Sequence, residues 1–116
     1  MQIRDWLPVI LSAAIAACDP AVHAKGVVRN ATGEAVAGAT VALWIADDPR
    51  VEKVRSDTDG HFEITRFGSQ DDSVVVQACH ERYGVARQAW ANGGAIPDSV
   101  VLVVTRVPAT DTVRQC

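Results

Sequence analysis

From residue 22 onward, apolar and polar positions alternate in short runs, and turn-forming residues separate the runs. The first run is Val22–Arg29, closed by Asn30-Ala31-Thr32-Gly33-Glu34. The second, Ala39–Ala46, reads ATVALWIA. Its Val41, Leu43 and Ile45 alternate with Thr40, Ala42 and Trp44, and a period of two sends the first set to the core. Asp47-Asp48-Pro49 then turns the chain. The third and fourth runs are Val51–Asp57 and His61–Phe67, with Phe62 and Ile64 on the core phase. Between them Asp57-Thr58-Asp59-Gly60 is a tight-turn signal. Ser73–His80 and Tyr83–Trp90 follow. The last run, Ser99–Val107, is the most apolar, which predicts burial on both faces, and Pro108 ends it. No amphipathic helical stretch interrupts the series. The spacing predicts an all-β fold, a seven-stranded Greek-key β-sandwich of the immunoglobulin-like or a related type.

Size and charge narrow the function classes. At 116 residues the chain has room for one domain. A composition 48% hydrophobic and 22% charged is that of a globular protein, not of a disordered tail. The formal charge is −3 with both signs interspersed. No basic concentration is present to grip a phosphate backbone, so no nucleic-acid partner is expected.

The amino terminus has a different character. Leu7 to Ala17 is an almost purely apolar stretch of 11 residues. A bilayer-spanning helix needs about 20. A short apolar core ending in small residues reads as a secretory signal peptide. Its end, Ile15-Ala16-Ala17-Cys18, resembles a bacterial lipobox. That resemblance implies lipidation of the Cys18 thiol, a mature chain that starts at Cys18, and a membrane partner held through the lipid. Asp19 follows directly; in some Gram-negative lipoproteins an Asp there favours the inner membrane, and the choice of membrane stays open. The alternative is cleavage after Ala14-Ile15-Ala16, which releases a soluble secreted domain. The expected organisation is a signal peptide over 1–17, a short linker over 18–22, the sandwich over 23–108 and a tail over 109–116.

Gly26 to Ile64 resembles the carboxypeptidase regulatory-like domain, a transthyretin-like (prealbumin-like) β-sandwich. The residues that carry the likeness are Gly26-Val27-Val28, the turn at Ala31-Thr32-Gly33-Glu34, and the strand Val36-Ala37-Gly38-Ala39-Thr40-Val41-Ala42-Leu43. Ser56-Asp57-Thr58-Asp59-Gly60-His61-Phe62 then matches the family's "Thr/Ser-Asp-x-x-Gly-x-Phe" turn. The match covers about a third of the chain; Tyr83-Gly84 reverses the order of a later family turn. The resemblance implies a folding, spacing or binding module without catalysis. In physical terms, Asp57 accepts hydrogen bonds from turn amides, Gly60 supplies an uncommon backbone conformation, and Phe62 enters the core.

Candidate chemistry is sparse. Cys79 and Cys116 form an even pair once Cys18 is set aside, which predicts one disulfide in an exported chain. It would close a loop of about 38 residues, for which chain entropy gives about 4 kcal/mol. The alternative is two unpaired thiols. Asp57 and Asp59 before a glycine suggest a calcium loop, but an EF-hand's later ligand positions fall on His61 and Gly68, so turn capping is the reading and no metal is expected. His23, His61 and His80 accompany no nucleophile elbow or carboxylate pair, so no catalytic residue and no cofactor are expected. Trp44 falls on the polar phase of its run and Trp90 ends another beside Asn92-Gly93-Gly94. Either is a candidate platform for a sugar or a protein partner, or packs against its own sheet. Two functions follow: a lipid-anchored, non-catalytic interaction or scaffold module, with another envelope protein as partner, or a carbohydrate- or small-ligand-binding module.

Overall fold

The computed structural model describes residues 21–69 and 71–106. Among them the strands are β1 (Ala21–Arg29), β2 (Thr40–Ile45), β3 (Val51–Arg55), β4 (His61–Phe67), β5 (Val74–His80), β6 (Gly84–Trp90) and β7 (Val100–Val103). They form two sheets, ordered β4-β1-β7 and β3-β2-β5-β6, and the architecture is an all-β sandwich. In the first sheet β1 runs antiparallel to β4 and parallel to β7. Every pairing in the second is antiparallel. β1 opens at Ala21, inside the expected linker, because Ala21 and Val22 already pair with Phe67 and Arg66. The signal peptide, Cys18 and the tail with Cys116 lie outside the described residues.

Alternation builds the core. Val41, Leu43 and Ile45 of β2 face Val22, Ala24 and Val28 of β1 across the interior, joined by Val74, Val76 and Ala78 of β5. Leu43 and Leu102 are wholly buried. Buried apolar area of this kind is the main term holding two sheets together. Ser56, buried with this core, donates to the Val36 carbonyl at 2.7 Å and accepts the Ala39 amide at 2.9 Å, so its hydroxyl is satisfied.

β7 corrects one expectation. It is buried on one face only: Val100 and Leu102 point inward, while Val101 and Val103 remain 46% and 45% exposed. The strand lies at the edge of the smaller sheet, whose outer face no further layer covers among the described residues. A seam ties this edge to the other sheet. Val85 and Thr105 exchange backbone hydrogen bonds of 2.9 and 3.1 Å, and the Gln88 side-chain amide donates to the Val101 carbonyl at 2.8 Å.

β4 ends with its polarity inverted. Arg66 takes the inward phase and is 3% exposed. It donates to the Asp48 carboxylate and, at 3.2 Å, to the Arg50 carbonyl. Arg50 donates to the same carboxylate at 3.0 Å from its guanidinium and 3.0 Å from its backbone amide. The Arg50 bonds, with Arg66 behind them, hold the Asp48 carboxyl well below the usual carboxylate range. A carboxyl lowered on folding adds stability that is complete above its ordinary titration range and is lost as pH falls through the folded value. Thermal stability is therefore expected to drop on acidification below that range, and Asp48→Asn to flatten part of the drop. Melting curves at graded pH check this; an identical acid limb in the variant would remove Asp48 from the account.

Candidate functional site

The outer face of the larger sheet carries the predicted platform. Trp44 points away from the core, in register with Val51 on one side and Val75 on the other. Beside it lies a hollow of about 300 Å³ lined by Thr40, Ala42, Val51, Lys53 and Gln77. Small residues at 40 and 42 leave the floor open, and Trp44 makes one wall. The Arg87 guanidinium carbon sits 5.5 Å from the centroid of the Trp44 ring, a cation–π contact. Gln77 fixes that guanidinium by accepting two hydrogen bonds, of 2.9 and 2.7 Å. A sugar stacking on this ring face must displace Arg87.

Trp90 belongs to the other face. It opposes the buried Val74 and packs at the margin of the core. The two tryptophans therefore do not form one platform. They do share one end of the sandwich, since Val74 also pairs with Ile45, the neighbour of Trp44.

The turn residues sit where their chemistry requires. One Asp57 carboxylate oxygen accepts the amides of Asp59 and His61, both at 2.9 Å, and Gly60 adopts φ +79°. The ligating atoms of Asp57, Asp59 and His61 lie within 4.8 Å of one another, all exposed. Of the three side chains, Asp57 caps the turn, through that one oxygen. Nearby, an open groove of about 730 Å³ crosses the outer face of the smaller sheet. Its charges alternate in sign: Lys25, Arg29 and Arg55 against Asp57, Glu63 and Asp98.

The three histidines are dispersed. His23 bonds Thr65 at 2.7 Å and approaches Glu63 at 3.3 Å. His61 is in the Asp57 turn, and His80 stacks at a tilt on Tyr83, with ring centroids 5.2 Å apart. Cys79 is buried in β5 at 4% exposure, and its expected partner Cys116 lies outside the described residues. Alkylation of the denatured, unreduced protein is expected to leave both thiols unlabelled; labelling of both would remove the bridge.

One exposed residue escaped the sequence reading. Phe67, the last residue of β4, is 70% exposed and pairs directly with Ala21, the first residue of β1. The signal for it was its phase, since it occupies the outward position that His61, Glu63 and Thr65 hold earlier in the strand.

No family model matches this chain, and no curated protein matches it either. Its fold is similar to that of chlorocatechol 1,2-dioxygenase from Pseudomonas putida, with a TM-score of 0.57 and 13% sequence identity. The likeness covers 76% of this chain and 61% of the dioxygenase, so this chain spans less than two thirds of that protein. At this identity the two share a fold, and that is what the likeness conveys.

Proposed function

We propose that this chain is a non-catalytic interaction module of the carboxypeptidase regulatory-like kind, exported and held on a bacterial envelope membrane by a lipid on Cys18. The observation that carries the reading is one of spacing. Cys18 ends the lipobox-like Ile15-Ala16-Ala17-Cys18, and β1 begins only three residues later, at Ala21. Processing at Cys18 would remove only residues that precede the first strand. The fold assignment draws support from the strand order. Unrolled, the sandwich reads 7-1-4-3-2-5-6: β2, β3 and β4 follow one another and β5 returns beside β2, the Greek-key pattern. A partner envelope protein has an apolar strip available in Val101 and Val103 on β7.

The test is an intact mass of the protein taken from the membrane fraction of a Gram-negative host, beside Cys18→Ala. A mass that starts at Cys18 with added acyl chains, and loss of membrane retention in the variant, are expected, since stable anchoring takes more than one chain. A lipid-free mass starting near Ala17 would overturn the anchor. Oxidation of a chlorocatechol by the purified protein would overturn the non-catalytic half.

A further inference from the structure

We propose that the end of the sandwich where β1 begins is a bilayer-contact surface, with the Phe67 ring entering the boundary between headgroups and acyl chains. The inference rests on the lipid anchor proposed above.

Covalent reach comes first. Cys18 precedes Ala21 by three residues, and three residues span at most about 11 Å. Ala21 is the direct partner of Phe67 across the β1–β4 ladder. A lipid on Cys18 therefore holds the Phe67 end of the sheet within one short tether of the interface.

Apolar exposure at the same end is the second observation; the other exposed valines, Val101 and Val103, lie along β7. Phe67 at 70% is the most exposed of the large apolar side chains described, and Val51, in register with Trp44, is 46% exposed. The β2 end lies at this pole too, because Arg66 reaches Asp48 and the Arg50 carbonyl in the turn that follows it. Trp44 and Trp90, both half-buried, stand in the last two residue rows at this end, beside the exposed Phe67. Aromatic rings favour the headgroup level of a membrane, where an apolar body and a wet edge are both accommodated.

Charge then selects the kind of membrane contact. The loops at this pole expose Asp47, Asp71 and Asp72, while Arg50 and Arg66 are engaged by Asp48. Among the described residues, no basic cluster is left at this pole to seek anionic lipid. The contact is one of apolar entry, and a zwitterionic bilayer suffices for it.

The experiment uses the lipidated protein, purified from membranes, checked by intact mass, and reconstituted into phosphatidylcholine vesicles with and without brominated acyl chains. Two variants each add one tryptophan to the native background. Phe67→Trp places it at the proposed contact. Val103→Trp places it on an exposed position that pairs with Arg29, at the other end of β1. Expected are a blue shift and loss of the added fluorescence at position 67 in brominated vesicles, no such loss at position 103, and no gain from anionic lipid. A lipidated protein whose two added tryptophans respond alike would overturn the contact and leave the anchor standing. Shielding of position 67 from aqueous quencher without quenching by bromine would mean a protein neighbour, and would also overturn it. A mass without lipid would overturn both the anchor and the contact.

Discussion

Gly26→Ala is expected to disrupt the smaller sheet. A Cβ at this position would lie 1.7 Å from the Val100 carbonyl oxygen and 2.6 Å from its carbon. Both are backbone atoms, so no side chain can swing aside to make room. Gly26 is where β7 begins its parallel run along β1, and Gly26–Val100 is the first pair of that register. To admit even a methyl group, β7 must move away from β1 and carry Leu102, which is wholly buried, out of place. Substitutions that force backbone apart in a core belong to the large-effect tail, and the loss should exceed about 3 kcal/mol. Chemical denaturation of both proteins measures it. A change below about 1 kcal/mol would show that β7 does not approach Gly26 so closely.

Gly60→Val is also expected to be strongly damaging, for a different reason. Gly60 sits at φ +79°, and a Cβ there would lie 2.6 Å from the Val28 carbonyl oxygen. The left-handed region is costly for any β-branched residue, about 1–3 kcal/mol before the contact is counted. Asp57 and Gly60 also close the turn through a 2.9 Å backbone bond, and the Gly60 carbonyl accepts the Val28 amide at 2.8 Å. The turn thereby joins the β3–β4 connection to β1. Loss of both stability and the β1–β4 pairing is expected, read by thermal melting and by amide exchange at Val28. Protection at Val28 that survives the substitution would separate the turn from the sheet.

What could be read from residues alone was local. The phase of Val41, Leu43 and Ile45 placed Trp44 outward, and it is outward. The Arg87 guanidinium over its ring was not readable, because that contact depends on how β6 registers against β5. The same register turns Trp90 inward by pairing it with Val74. In β7 every residue from Val100 to Val103 is apolar, so alternation carries no signal, and only the packing of the other sheet on one face decides which face stays wet. Arg66 shows the opposite limit. A charged residue on a core phase is tolerated because Asp48, 18 positions away, turns back to meet it. No pattern within β4 contains that partner. The anchor and the disulfide remain expectations from sequence, since Cys18 and Cys116 lie outside the described residues.

The placement of β1 between β4 and β7 sets an order of events for the growing chain. The residues of β1 are the first to emerge after the amino-terminal segment, yet Gly26 waits for Val100, 74 positions later. Pairings so distant in sequence make folding slow and leave apolar strands uncovered meanwhile. The larger sheet has no such delay, since β2, β3, β5 and β6 lie close together along the chain. A nascent chain thus completes one half of its sandwich early and keeps the Gly26–Arg29 flank of β1, with the buried Val28, unpaired until β7 has been delivered. Truncation anywhere before Val100 would yield a sheet with an open flank, and such fragments should be cleared by proteolysis or aggregate, not persist as shorter domains.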